Sequence, residues 1–273
     1  MIDRICISIN NRCNLACSYC HFHEKGEIEA VEMDVYEILD HVKEYVGKGY
    51  AGKQFKIGFV GNGECFLDWQ KLKSYIAYLE DAPGISLYTI TNGTVRLPEE
   101  DLAFLEEHRV NVGFSIDGYK ELHDRYRCNS FDRAMENVER YRQVTGHYPT
   151  FNATVGKESL RNAEKVISFF RPFGTKVTFS RMIGKYGISL GEYRDFISMA
   201  EKEILVRRGG ADCTMYGGLC GAGKNNYFFA NGKIYYCGNC IDLPPVGDSS
   251  MSLRELEKIS LTFDRNYCYK ESL

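Results

Sequence analysis

Apolar residues recur along this chain in two alternating rhythms. Short runs read as strands: Ile5–Ile9, Phe55–Val60 (interrupted by Gly58), Ile85–Ile90, Val110–Ile116, Thr150–Val155 and Lys176–Ser180. Between them, apolar positions fall three and four apart, the helical period. Val35, Ile38, Leu39, Val42, Tyr45 and Val46 mark a helix over Met33–Val46, and Trp69, Leu72, Tyr75, Ile76 and Leu79 mark one over Trp69–Leu79. Further helices are expected from Pro98 through Glu107, where proline suits a first turn, and over Phe131–Val144, Leu160–Phe170 and Tyr193–Val206. Strand and helix thus alternate six times through short connections, which predicts an α/β fold with a parallel sheet and right-handed crossovers. Six units fit a partial (β/α)6 TIM-type barrel rather than the eight of a closed one, and chemistry in such barrels sits at the C-terminal strand ends. A doubly wound open sheet is the alternative. The unusual loops all follow strand ends: a cysteine loop after Ile9, Gly61–Cys65, Thr91–Gly93 and Ser115–Gly118.

The pattern changes after Arg207-Arg208-Gly209-Gly210. Five cysteines follow: Cys213, Cys220, Cys237, Cys240 and Cys268. Tyr227–Tyr236 reads as strand, Asn231-Gly232 turn, strand, a strong hairpin signal. Cys220 and Cys237 bracket that hairpin, so its ends should bring them together. Ser252–Ile259 reads as a short closing helix, with Ser252 as N-cap and Glu255 three residues on. The expected division is a barrel over 1–208 and a small hairpin-and-helix unit over 209–273.

Composition narrows the function classes. The chain has 273 residues, 44% hydrophobic and 26% charged, with net charge −3, so no basic field points to nucleic acid. No apolar run approaches the ~20 residues of a membrane span. Met1-Ile2-Asp3-Arg4-Ile5 lacks the shape of a secretory signal. A signal-free, cysteine-rich chain is expected in the cytoplasm, its thiols reserved for metal. The 19 Tyr and 16 Phe indicate core and pocket walls, nothing more specific.

The candidate chemistry centres on Asn10–Phe22, where Cys13, Cys17 and Cys20 stand as C-x3-C-x2-C. Such a loop can wrap three thiolates around one metal centre. In a cubic [4Fe–4S] cluster three thiolates leave one iron open, whereas an electron-transfer cluster is usually closed by four. A zinc knuckle is an alternative, with His21 or His23 in reach, although zinc favours C-x2-C pairs and a fourth ligand. As non-ligands, these two are exposed loop histidines. A disulfide framework fits poorly, since the 11 cysteines are an odd number and no signal peptide precedes them.

Several motifs together resemble the radical S-adenosylmethionine (SAM) enzymes. The cysteine triad is similar to their signature, with Tyr19 at the aromatic position before the last cysteine and Phe22 just beyond. Gly61-Asn62-Gly63-Glu64-Cys65 resembles the family's Gly-Gly-Glu-Pro loop, which holds the SAM amino group. Cys65 replaces the proline, a departure expected to loosen the loop and place a thiol near the cofactor. Ser115-Ile116-Asp117-Gly118 and the following His123–Arg127 resemble the fourth-strand region of peptide-modifying members. The spacing Cys220, Gly232, Cys237 is similar to the opening of SPASM and twitch extensions, which bind auxiliary iron–sulfur clusters.

The resemblance implies a [4Fe–4S] cluster on Cys13, Cys17 and Cys20 and one SAM, whose reductive cleavage gives a 5′-deoxyadenosyl radical that abstracts a substrate hydrogen. It implies cofactor contacts from Tyr19, Phe22, Gly61, Asn62, Gly63, Glu64, Asn92, Ser115, Asp117, Arg127, Asn152 and Arg181. Of these, Arg181 or Arg127 could hold the SAM carboxylate, and Asn152 is expected inside the barrel. One auxiliary iron–sulfur cluster, a [4Fe–4S] type, is implied on Cys213, Cys220 and Cys237, with Cys240 or Cys268 as fourth ligand, or with a site left open for substrate. That leaves Cys6, Cys65, Cys128 and one of Cys240 and Cys268 spare. A spare thiol facing the pocket could return a hydrogen atom to a substrate radical, and Cys65 and Cys240 are the candidates for this catalytic role.

Implied partners are a flavodoxin- or ferredoxin-type electron donor and a substrate. A ribosomally made peptide, crosslinked, oxidised or epimerised, is the first expectation. A small alcohol, as in twitch-type aminocyclitol dehydrogenases, is second. Anaerobic sulfatase maturation is third, because Gly238 stands where those enzymes carry a basic aspartate and a second auxiliary cluster lacks its cysteines. A non-catalytic cluster-binding module is a further class. Cys13 lies so near the start that no N-terminal leader-binding module is expected.

Overall fold

The computed structural model describes residues 1–20, 22, 31–207, 213, 215 and 221–259. Six βα units run from β1 (Arg4–Ile7), α1 (Val35–Gly47), β2 (Phe55–Phe59), α2 (Trp69–Tyr78), β3 (Ile85–Thr91) and α3 (Glu99–Glu107) to β4 (Asn111–Ser115). Then come α4 (Lys120–Tyr126), α5 (Phe131–Thr145), β5 (Thr150–Val155), α6 (Lys157–Arg161), α7 (Ala163–Phe170), β6 (Val177–Arg181) and α8 (Leu190–Ala200). The chain continues through β7 (Asn226–Ala230), β8 (Lys233–Tyr235), β9 (Gly247–Asp248) and α9 (Leu253–Leu256). Among the described residues nine strands form one open sheet in the order β6-β5-β4-β3-β2-β1-β7-β8-β9. The partial-barrel expectation holds: β1 to β6 pair in parallel, and the sheet does not close.

Strand parity explains the two faces. Ile5, Ile7, Phe55, Ile57 and Phe59 are fully buried against helices such as α1, which turns Val35, Ile38, Leu39, Val42 and Tyr45 inward. Phe151, Phe170, Phe179 and Phe196 form a chain of ring contacts, 5.0–5.8 Å between centroids, between strands and helices. The alternate residues Arg4, Cys6, Lys56, Tyr88, Asn111 and Asn152 line the barrel's inside. Gly58 faces Tyr88 directly in the ladder, and a Cβ there would overlap the Tyr88 ring. The glycine that interrupts the apolar run is therefore what lets a tyrosine lie across the interior.

Several boundaries differ from expectation. The helix over 160–170 breaks at Asn162, whose Nδ2 donates to the Glu158 carbonyl at 3.0 Å, a side chain competing with the helical ladder. Pro98 is the residue before α3 rather than inside it. The last helix ends early, at Leu256, although Ser252 and Glu255 form the expected capping box. The hairpin turns at Asn231 and Gly232, with φ of 52° and 68°, as an Asn-Gly turn requires. It does not stand apart, because β7 pairs in parallel with β1, from Arg4↔Asn226 to Ile7↔Phe229. Among the described residues no helix is long and apolar enough to cross a membrane.

Gly58→Ala is expected to cost about 1–3 kcal/mol by overpacking, read by urea unfolding. The same substitution in a Tyr88→Ala background should cost clearly less, and equal costs would remove the Tyr88 explanation.

Candidate functional site

The C-terminal strand ends surround one cavity of about 740 Å³. The loop after β1 contributes Cys13, Cys17, Tyr19 and Cys20, and the loop after β2 contributes Gly61, Asn62, Gly63 and Glu64. Of the other expected residues, Asn92, Ser115, Arg127 and Arg181 line it too. Thr154, Ser180, Met182, Ile183, Lys185 and Tyr186 were not foreseen, nor were Met215 and Asn239. The end of β6 was the available signal for the first group, since a barrel site extends to every strand end. Met215 and Asn239 had none; they meet through an Asn239 Nδ2 to Met215 Sδ contact of 3.1 Å.

Glu64 holds the left half of this rim together. Its carboxylate, 2% exposed, accepts from Phe66 N at 3.0 Å, Thr91 Oγ1 at 2.8 Å and Asn92 N at 2.6 Å. Its backbone N donates to Arg12 O at 2.7 Å, and its carbonyl accepts from Asn10 Nδ2 at 3.1 Å. A Cβ on neighbouring Gly63 would overlap Asn10 and the Arg12 backbone, so only glycine lets the cysteine loop lie this close. Asn92 then reaches back, its Nδ2 donating to Asn14 Oδ1 at 2.8 Å with Cys13 Sγ at 3.7 Å. Burial pushes the Glu64 carboxyl above its ordinary value, against the pull of these donors.

Asp117 does the same on the right. It is 1% exposed and accepts from Arg127 Nε at 2.8 Å, Tyr19 OH at 2.6 Å and Thr154 N at 3.0 Å. Burial, the largest single effect, opposes its ionisation, but the Arg127 charge and hydrogen bond, with His123 and the Tyr19 hydroxyl, together hold the carboxyl below its ordinary value. The Arg127 guanidinium lies 5.4 Å from the Tyr19 ring centre, and Ser18 N donates to Tyr126 O at 2.9 Å. Behind them α4, a helix the sequence pattern does not reveal, buries His123, which accepts from Asp117 N at 3.4 Å and contacts Ser130 Oγ at 2.9 Å.

Five placements correct the sequence reading. Cys65 does not line the cavity: its Sγ turns away to Thr89 Oγ1 at 3.0 Å, and burial raises its pKa well above the ordinary value. Nor is its loop loosened by the missing proline, since Cys65–Asp68 forms a tight 3-10 turn capped by Glu64. Asp117 and Phe22 also lie outside the cavity wall, both buried. Asn152 is interior, as expected, but lines a second, deeper cavity of about 210 Å³. Cys240 lines neither cavity and lies with its Sγ 3.3 Å from that of Cys237. Cys220, Cys268, His21 and His23 lie outside the described residues.

The sulfur donors fit an iron–sulfur cluster. Burial raises the Cys13 pKa, and it pushes Cys17 up to about 12 despite the nearby Arg127. Such desolvated thiols ionise when a metal displaces their protons. Among the described residues no three His, Cys, Asp or Glu side chains close around a single ion.

Comparison with known proteins agrees with this geometry. The family model described as the Radical SAM superfamily matches residues 7–170. A cysteine-type anaerobic sulfatase-maturating enzyme of Clostridium novyi is 27% identical over 176 residues, 59% of this chain and 46% of that protein. The chain thus spans about half the length of that curated relative. The solved structure of native anSMEcpe with bound AdoMet and Cp18Cys peptide superposes with TM-score 0.72 at 19% identity, covering 94% of this chain and 80% of that one. Streptococcus suis SuiB bound to precursor peptide SuiA gives TM-score 0.73 at 15% identity, covering 94% and 64%. At these identities the two structures establish the fold alone.

Two outcomes follow for the Asp117 anchor. Asp117→Ala should cost about 3–5 kcal/mol, because it leaves the buried Arg127 charge unpaired; the double variant Asp117→Ala/Arg127→Met should cost less, both read by urea unfolding. Burial lowers the His123 pKa from 6.5 to about 4, so the unfolded chain binds a proton at a higher pH than the folded one. The His123 contribution is present above pH 6.5 and lost as pH falls to about 4, roughly 3 kcal/mol in all. Urea titrations across this range should show that slope in the wild type and not in His123→Gln.

Proposed function

This chain belongs to the radical SAM superfamily, and on that premise we propose that it modifies a peptide by abstracting a hydrogen atom. The family implies a [4Fe–4S] cluster and SAM. Cys13, Cys17 and Cys20 would hold the cluster, and the strand-end cavity would hold SAM beside it. When bound, the two supply a 5′-deoxyadenosyl radical on reduction. The observation that carries the reading is the convergence of three cysteines, the two glycines of the loop after β2 and two arginines on one cavity of about 740 Å³, a volume usual for a cofactor site.

This chain's own residues bind and orient. Arg127, fixed through Nε by Asp117, and Arg181, whose Nη1 donates to Ile188 O at 2.9 Å, set positive charge in the wall where a carboxylate would pair. Ser115, Thr154 and Ser180 add hydroxyls, and Val60, Ile90, Met182, Ile183 and Tyr186 add apolar surface for a purine and for exclusion of water. Asn92 presents an N–H to Cys13 Sγ, the kind of contact that tunes a cluster's potential.

A peptide substrate is supported by the names of the relatives, which describe a sulfatase-maturating enzyme and peptide-bound structures. A single auxiliary cluster near Cys213 and Cys237 and an external low-potential electron donor belong to the same proposal. Oxidation of a cysteine within a protein is the second reading, favoured by the curated relative.

After anaerobic reconstitution and reduction with dithionite, the protein should convert SAM to 5′-deoxyadenosine and methionine, measured by liquid chromatography. The Cys13→Ala/Cys17→Ala/Cys20→Ala variant should form neither; a wild type that forms neither would overturn the reading. Asn92→Ala should lower the midpoint potential of the first cluster in an EPR-monitored titration, and an unchanged potential would remove the tuning role.

A further inference from the structure

We propose that Cys6, on β1, is a thiolate ligand of a second iron–sulfur cluster inside the barrel. The inference rests on the reading that the C-terminal cysteines carry such a cluster, and it assigns a ligand that the spacing of those cysteines leaves out. Arg4 and Cys6 are the inward residues of β1, alternating with the buried Ile5 and Ile7. Cys6, Cys213 and Cys237 line the same cavity of about 210 Å³, and Cys240 stands beside Cys237. Thiols from β1, from the segment after α8 and from the end of the hairpin thus gather round one space. A cluster, in which each thiolate takes its own iron, is a group that takes sulfurs arranged around a space.

Two further observations point to an anionic occupant. Arg4, Lys56 and Arg207 line this cavity, and among the described residues no carboxylate does. A cluster with its thiolates carries negative charge, which a wall presenting Arg4, Lys56 and Arg207 favours. Tyr88 OH lies 3.2 Å from Cys6 Sγ, placed to donate to a thiolate sulfur, and Gly58 is what makes room for that ring. The position also suits electron transfer, because Val60 and Ile90 line both cavities. The second site therefore shares a wall with the first.

The test uses the Cys13→Ala/Cys17→Ala/Cys20→Ala protein, which isolates the second site, reconstituted anaerobically with iron and sulfide. Iron and sulfide content, visible absorption and the EPR spectrum of the reduced protein are measured. The inference expects one cluster in this background, a severalfold loss on adding Cys6→Ala, and no loss on adding Cys128→Ala, which changes an exposed cysteine. The near-isosteric Cys6→Ser should keep near-ultraviolet circular dichroism unchanged and alter the EPR signal, which separates ligation from misfolding. A full cluster complement and an unaltered spectrum in both Cys6 variants would overturn the role of Cys6 and leave the second cluster standing. No cluster at all in the background would overturn the second cluster itself, while SAM cleavage by the wild type would still stand.

Discussion

A single buried carboxylate, that of Glu64, decides whether the three loops on one side of this barrel can share a site. It takes donors from its own turn and from the end of β3, while the backbone on which it stands bonds to the cysteine loop. Remove the acceptor and Asn92 N, Thr91 Oγ1 and Phe66 N are left without it in a dry setting, at roughly 1–3 kcal/mol each. The opposite side repeats the device with Asp117, but there a guanidinium supplies the compensation. That difference in partner explains why one carboxyl lies above its ordinary value and the other below it. Both are anchors: their oxygens are taken up by protein donors, and they position the side chains around them.

The same logic runs down the barrel axis. The inner face carries polar side chains such as Arg4, Lys56, Asn111 and Asn152, which need either one another or a guest. Tyr88 crosses the interior over Gly58 and meets Cys6, and Val60 and Ile90 separate the upper space from the lower. The C-terminal segment serves both levels, with Met215 and Asn239 above and Cys213 and Cys237 below. It also extends the sheet through the β1–β7 pairing. The hairpin is therefore part of the barrel wall in the physical sense, whatever boundary its composition suggests.

Much of this was legible in the chain because two signals are local. Period and turn chemistry marked the six βα units and the Asn231-Gly232 hairpin, since each depends only on neighbours in sequence. The triad and the Gly61–Glu64 loop were legible because their spacing resembles a known pattern. What escaped depends on tertiary partners. α4 carries a single aliphatic residue, Leu122, and its burial of His123 makes sense only beside Asp117 and Ser130. Asn162 gave no sign that its amide would end one helix and begin another. Cys6 looked spare because a strand of two apolar and two polar-facing residues does not say what its inner face meets.

Cys65 shows how a correct position can carry a wrong role. The thiol sits one residue from a cavity-lining glutamate, which made a hydrogen-donating function attractive. Side chains on successive residues of an extended loop point opposite ways, and here Glu64 takes the cavity side while Cys65 goes behind it to Thr89 and the Ile90 carbonyl. Burial and the neighbouring Glu64 charge both disfavour its thiolate, and reactive cysteines need the reverse surroundings. The residue instead starts the turn whose Phe66 N–H the Glu64 carboxylate accepts. A cysteine in place of proline thus keeps the loop's geometry through hydrogen bonds rather than through a ring, and any hydrogen return to a substrate radical must come from a group that reaches the cavity.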